Sequence, residues 1–389
     1  MKKTILLFLF ILPLYIVTAQ IIKGHVVNNS GSQIPGVNIY IDGTKTGTVS
    51  KEDGTFSLSL SSGSMGNLVF QKDDYETFTA AVPEIINKNL KVVLIKTNAI
   101  EEIRLVPYTS EAYRNYINYF LDSFIGGDRD NVRIKNQKSL KFSYDKKNKF
   151  LKVKAPNTLI IENKNLGYEI QYNLISYSSD FNSHTVNYTG TSFFKETKNS
   201  DKTKLNRMNA YDGSLLHFFR SISQNTISED KFIVNHVVKV PNPKYPTEEE
   251  LKILEDFKQI VRSSAILKIP ENISDISQRK NSEKPYALAI VKTRIPDSDY
   301  VTRKEGKVFF SFKDMLQVNY QKYFYEIKGK DLVKSLYPVT LSSYLHPEGE
   351  IFEVSKEGNI TNPDQLINEG DFSKNKIENM LPLDYQLGD

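Results

Sequence analysis

From Ile21 to Lys96 short alternating apolar runs are cut again and again by turn signals, and this punctuation limits the fold more than any other feature of the chain. Ile22, Gly24 and Val26 alternate with Lys23, His25 and Val27 before Asn28-Asn29-Ser30-Gly31 reverses the chain. Ile34-Pro35-Gly36 leads into Val37 to Ile41, and Asp42-Gly43 is a hairpin-type dipeptide. Gly47-Thr48-Val49-Ser50 leads to a further turn at Glu52-Asp53-Gly54. Phe56, Leu58 and Leu60 then alternate with Ser57 and Ser59, which buries one face and wets the other. Leu68-Val69-Phe70 and Leu90 to Ile95 supply two more strands. Short strands at this spacing specify an antiparallel sandwich.

The motifs in this stretch resemble the carboxypeptidase-regulatory-like domain. The residues that carry the likeness are Ile22 to Val27, Ile34 to Ile39 and Gly47 to Phe56, against the pattern G-x-V … x-P-G-V-x-V … G-T-x-T-D-x-D-G-x-F. Ser50 and Lys51 depart from it, where the pattern has Thr and Asp. The resemblance implies a transthyretin-like seven-stranded sandwich that serves as an accessory module and not as a catalytic unit. Asp53 beside Gly54 reads as a turn residue, since calcium needs six to eight oxygens and no D-x-D-x-D spacing surrounds it.

Lys2 and Lys3, the apolar run Ile5 to Val17, and the small residues before Gln20 have the layout of a secretory signal peptide, with cleavage expected after Ala19. The run is shorter than the roughly 20 residues of a spanning helix and contains Pro13. No later segment is long and apolar enough to cross a bilayer as a helix. Cysteine is absent, so there are no disulfides and no lipobox thiol for a lipid anchor. The formal charge of +5 falls to about +3 without Lys2 and Lys3, too mild to imply a nucleic-acid partner or a charged membrane surface.

Beyond a linker expected at 98–109, Tyr113, Tyr116, Ile117, Phe120, Leu121 and Phe124 mark an amphipathic helix from Ser110 to Gly126-Gly127. From Ser139 the period changes to two: Leu140, Phe142 and Tyr144, then Phe150, Leu151 and Val153, read as a hairpin about Asp145-Lys146-Lys147-Asn148. Strands continue at Leu159 to Ile161, Tyr168 to Tyr177, His184 to Tyr188 and Thr191 to Phe194. Lys198 to Asn206 reads as a polar loop. A second helix starts near Ser214, and a third follows the capping-box pair Thr247 and Glu250, with Leu254, Phe257, Ile260 and Val261 on one face. Pro270 reads as the end of that region and 271–285 as a loop. Five strands follow between Ala287 and Val354, with a short final helix around Lys374 to Met380. The predicted organisation is a signal peptide (1–19), a β-sandwich (20–97), a linker (98–109) and a larger α+β region (110–389). The fold class is mainly β to α+β, with antiparallel sheet and about three helices in the larger region.

Three blocks of that region carry a second resemblance: Glu162 to Tyr172, Tyr188 to Phe194 and Arg207 to Arg220, together with Leu381-Pro382-Leu383-Asp384-Tyr385. They resemble exported proteins that join a carboxypeptidase-regulatory-like domain to a β-rich region. The resemblance implies no activity.

A zinc carboxypeptidase needs H-x-x-E, with a further histidine, to hold the metal with one position open. The residues three beyond His25, His184, His217, His236 and His346 are Asn28, Asn187, Arg220, Lys239 and Gly349, and there is no H-E-x-x-H. A cysteine nucleophile, a G-x-S-x-G elbow, a Walker A loop and a dinucleotide fingerprint are likewise missing. No metal, cofactor or catalytic residue is therefore assigned. The most unusual cluster is Arg207, Tyr211, His217 and Arg220, the candidate ligand-binding residues. His217 and Arg220 fall at i and i+3 on one helix, and guanidinium groups suit an anion or polymer. The competing reading is that these side chains pair with carboxylates and orient the helix. An outer-membrane receptor barrel would need about 22 strands of roughly 10 residues, more than this chain holds.

The expectation is an exported envelope protein of the periplasm, the periplasmic face of the outer membrane or the cell surface. It would bind a protein or glycan partner through its sandwich. The alternatives are an enzyme acting on glycan or peptide in 110–389, and an accessory protein of an outer-membrane nutrient receptor.

Overall fold

The computed structural model describes residues 20–60, 66–97, 106–263 and 268–389. The expected signal peptide and most of the expected linker lie outside the described residues. The chain is mostly β with several helices, and its antiparallel sheets dominate. It forms two compact units, one made of residues up to Asn118 with Asp130–Lys198, the other of Tyr119–Arg129 with Asn199–Asp389.

The first unit begins with the sandwich. Its strands are β1 (Gln20–Val27), β2 (Asn38–Ile41), β3 (Gly47–Val49), β4 (Thr55–Leu60), β5 (Asn67–Gln71), β6 (Phe78–Ala81) and β7 (Asn89–Val93), with a helical turn α1 (Val82–Ile85). One sheet has the order β4-β1-β7 and the other β3-β2-β5-β6. All pairs are antiparallel except β1 with β7, which run parallel because α1 carries the chain across the sandwich. Alternation does what it promised: Phe56, Leu58 and Leu60 turn inward onto Ile22, Val26, Ile39, Leu68 and Phe70. Gly24 is required here, since a Cβ would lie 2.1 Å from the carbonyl oxygen of Leu90.

Helix α2 (Ser110–Phe124) follows, and then one six-stranded sheet: β8 (Val132–Ile134), β9 (Lys141–Asp145), β10 (Phe150–Lys154), β11 (Leu159–Asn163), β12 (Tyr168–Asp180) and β13 (Thr185–Glu196). β12 pairs β11 through Tyr168–Tyr172 and β10 through Tyr177–Asp180, while β13 runs along its other side. The two strands read at 184–188 and 191–194 are thus one. Gly190 joins them, because a side chain there would lie 2.4 Å from the Tyr172 ring. Tyr113 and Tyr116 of α2 meet Phe142 and Tyr144 of β9, with ring centroids 5.2 and 4.3 Å apart.

The second unit contains α3 (Asp201–Tyr211), α4 (Leu215–Gln224), β14 (Ile233–Pro241), α5 (Glu248–Ser263), α6 (Glu271–Ser282) and β15 (Tyr286–Lys292). After these come β16 (Val301–Lys304), β17 (Lys307–Phe310), β18 (Met315–Lys322), β19 (Tyr325–Lys328), β20 (Asp331–Lys334), β21 (Val339–His346), β22 (Phe352–Val354), β23 (Ile367–Gly370) and α7 (Asp371–Lys374). Its main sheet has the order β15-β14-β18-β21-β23. Phe218, Phe219 and Ile222 of α4 fill the core against Phe310, Leu316, Val318, Leu345 and Phe352.

Two helices occupy stretches read as loops. α3 begins inside the polar stretch at 198–206, runs on to Tyr211 and is started by a capping box between Ser200 and Thr203. α6 replaces the loop at 271–285. Pro270 is its N-cap and not a terminator, and Ile273 and Ile276 pack on Leu254 of α5. The Thr247–Glu250 capping box that begins α5 forms in both directions, at 2.9 and 3.2 Å. At the C-terminal end α7 is a single turn, followed by a 3-10 turn at Ile377–Asn379, where one helix was expected.

Candidate functional site

Arg207 and Tyr211 fall on α3 and His217 and Arg220 on α4, and the second unit brings them together. Ser214 caps α4, its Oγ accepting from His217 N at 3.1 Å. Gly213 makes the turn with φ +70°, and a Cβ there would lie 2.6 Å from the Tyr320 ring. Gly213 N donates to His217 Nδ1 at 3.1 Å, so the imidazole keeps its proton on Nε2 when neutral. Nε2 faces Asp230 at 3.9 Å and Nδ1 lies 3.9 Å from Asp212. Tyr320 donates to Asp212, while Ser221 and Thr226 donate to Asp230 at 2.7 and 2.5 Å. Burial holds the His217 pKa below the usual histidine range, although both aspartates pull it the other way.

Tyr211 stacks on this imidazole at 4.7 Å and carries the Arg220 guanidinium over its ring at 5.3 Å. Arg220 donates through Nε to Glu357 O at 3.0 Å and through Nη2 to Leu383 O at 2.9 Å. Arg207 is fully buried, and its charge acts on Tyr385, whose hydroxyl burial pushes up to about 12. Tyr385 in turn lies 5.7 Å from Tyr211. The arrangement holds the Leu381 to Tyr385 segment and the Glu357 loop against α4. Two donors of Arg220 are spent on backbone carbonyls, and Asp212 and Asp230 accept from hydroxyls.

Two further histidine–carboxylate pairs were not read from the sequence. His236 Nε2 lies 2.8 Å from Asp314 Oδ2. His346 is buried with Nε2 3.0 Å from Glu369 Oε1, an ion-pair distance without hydrogen-bond alignment, and Lys284 donates to the other oxygen at 3.2 Å. Burial lowers the His346 pKa. Each pair joins residues far apart along the chain, so no local spacing marks it. Among the described residues no group of three or more His, Asp or Glu side chains converges as a metal site would require.

In the first unit the sandwich engages β13 through the Asp42-Gly43-Thr44 turn. Gly43 N donates to Ser192 O at 2.8 Å, Phe194 N donates to Thr44 O at 3.0 Å, and Ser192 N donates to Asp42 Oδ1 at 2.8 Å. Tyr40 stacks on Phe193 at 5.2 Å and shares a hydrogen bond with Thr191 at 2.9 Å. Gly47 sits where a Cβ would strike the Phe193 ring at 2.7 Å. Burial pushes the Asp42 carboxyl up to about 6, against the hydrogen bonds it accepts.

Among the described residues no helix is long and apolar enough to cross a membrane. Residues 22–105 match the family of the CarboxypepD_reg-like domain. No curated protein matches the chain.

Proposed function

We propose that this chain, with a carboxypeptidase-regulatory-like domain at its N-terminal end, is an exported cell-envelope protein that binds or scaffolds and does not catalyse, and that its sandwich is the interaction module. One observation carries the reading: the sandwich holds the edge of a neighbouring strand through the backbone of its Asp42–Thr44 turn. Recognition of a strand edge by main-chain hydrogen bonds is a general mode of protein binding. The module has other edges to offer. β6 and β7 each end a sheet, and Phe78, Val93 and Ile95 are roughly half exposed beside them, at 43%, 43% and 46%. An extended segment of a partner laid along β7 would gain backbone pairing at Asn89–Val93 and reach the exposed side chains of Val93 and Ile95, beside the point where Glu76 N already donates to Ile95 O. The secretory layout of the first nineteen residues supports an envelope location.

The test is capture from solubilised envelopes with the tagged mature protein, read by mass spectrometry. One partner is expected in stoichiometric amount, and it is expected to be lost with the surface pair Val93→Lys and Ile95→Lys. Failure to recover any partner, or equal recovery with the variant, would overturn the reading.

A further inference from the structure

The turn between α3 and α4 is closed by a buried side chain that can change its charge. Nδ1 of His217 accepts from Gly213 N at 3.1 Å. That acceptor exists only in the neutral imidazole. A protonated ring carries hydrogen on both nitrogens, and two N–H groups would then point at each other.

The groups around the ring come from several elements. Tyr211 of α3 stacks on it, while Tyr320 of β18 and Phe232 meet it edge-on at 5.7 and 4.9 Å. Asp212, in the turn, lies 3.9 Å from Nδ1, and Asp230, before β14, lies 3.9 Å from Nε2. Both distances exceed hydrogen-bond reach. Arg220 of α4 and Lys322 of β18 add positive charge. A protonated ring therefore has a carboxylate just beyond each nitrogen, one held by Tyr320 and the other by Ser221 and Thr226.

We propose that His217 is a proton-operated latch: neutral, it holds the α3–α4 turn closed through Gly213; protonated, it releases Gly213 N and turns to Asp212 and Asp230. The proton is taken up from water and adds to Nδ1. Burial, with Arg220 and Lys322, keeps the ring neutral and the latch closed, against the pull of the two aspartates. The folded pKa lies below the ordinary 6.5, so the contribution is whole above about pH 6.5 and is lost as pH falls through the folded value. Asp212 also accepts from Tyr320, so drawing it toward the imidazolium loosens its hold on β18. Asn209, three residues before Asp212, accepts from Tyr325 N at 3.1 Å, and its carbonyl accepts from Lys322. Opening of the turn thus acts on the root of the β19–β20 hairpin. The latch uses no residue of the sandwich and stands apart from any partner the sandwich takes.

The test is a titration of the mature protein, labelled with nitrogen-15 in histidine and glycine, from about pH 7.5 to about 4.5. At the upper end the His217 ring is expected as the Nε2–H tautomer. It is expected to gain its second proton with a midpoint below about 6.5, and the Gly213 amide resonance is expected to shift with the same midpoint. Hydrogen-exchange protection of the turn, corrected for the intrinsic rate, is expected to fall by about tenfold alongside. His217→Asn keeps an acceptor for Gly213 N and cannot titrate, so it is expected to hold the Gly213 resonance and the protection constant. A ring that gains its proton while the Gly213 amide stays put overturns the proposal. So does a ring that stays neutral across the range, or an asparagine variant with the same loss of protection. If that variant does not fold, the paired titration of ring and amide in the natural protein decides.

Discussion

Asp42 shows how a single side chain can carry two roles. Its dipeptide with Gly43 was legible as a hairpin turn, and a turn forms there. That the same turn grips β13 was not legible, because Ser192 lies far along the chain and no local pattern connects them. The grip leaves a carboxylate in a poorly hydrated place. Its pKa rises from 3.8 to about 6 on folding. The folded state therefore favours the protonated acid; the contribution is whole below about pH 4 and is lost as pH rises through about 6. Asp42→Asn keeps the acceptor for Ser192 N and removes the charge. It is expected to be more stable than the natural protein at pH 8 by about 1–2 kcal/mol, with the gap closing below about pH 4. Urea melts at both pH values check this. A gap of the same size at both would mean that the charge is not what costs stability.

At the level of elements, α4 was plain from its apolar spacing and its Ser214 cap, whereas α3 and α6 were not. α3 is polar over most of its length, and its start is set by Ser200 and Thr203, a weaker sequence signal than Ser with Glu. α6 has only Ile273 and Ile276 to bury, and a proline before a helix looks the same in sequence as a proline after one. The candidate cluster was legible as a group of residues but not as a set of bonds, since Glu357 and Leu383 contribute backbone oxygens that any residue could supply. Arg220 ties α4 to both. Arg220→Ala is expected to cost about 2 kcal/mol in urea unfolding, because two half-buried carbonyls lose their donor and Tyr211 loses the guanidinium over its ring. Arg220→Lys is expected to recover less than half of that, since one ammonium cannot reproduce the planar fork. Full recovery by lysine would reduce the role to charge alone.

Averages over the whole molecule conceal its surfaces. A net charge of +5 says nothing of where the charges lie, and alternation along β13 could not say that its edge is engaged by the sandwich. That engagement changes what removing the sandwich would do. Without Asp42 to Thr44, the backbone groups of Ser192 and Phe194 lose their partners, and the Phe193 ring loses Tyr40. An unpaired strand edge beside an uncovered aromatic invites pairing with another chain. Residues 106–389 alone are therefore expected to self-associate and to melt below the intact protein, as sedimentation velocity and circular dichroism would report. Loss of a partner in that deletion could then follow from misassembly, which is why exposed substitutions on β7 are the cleaner probe of binding. If the deletion product stays monomeric and melts with the parent, the turn contributes little to the fold, and the sandwich acts as an independent module.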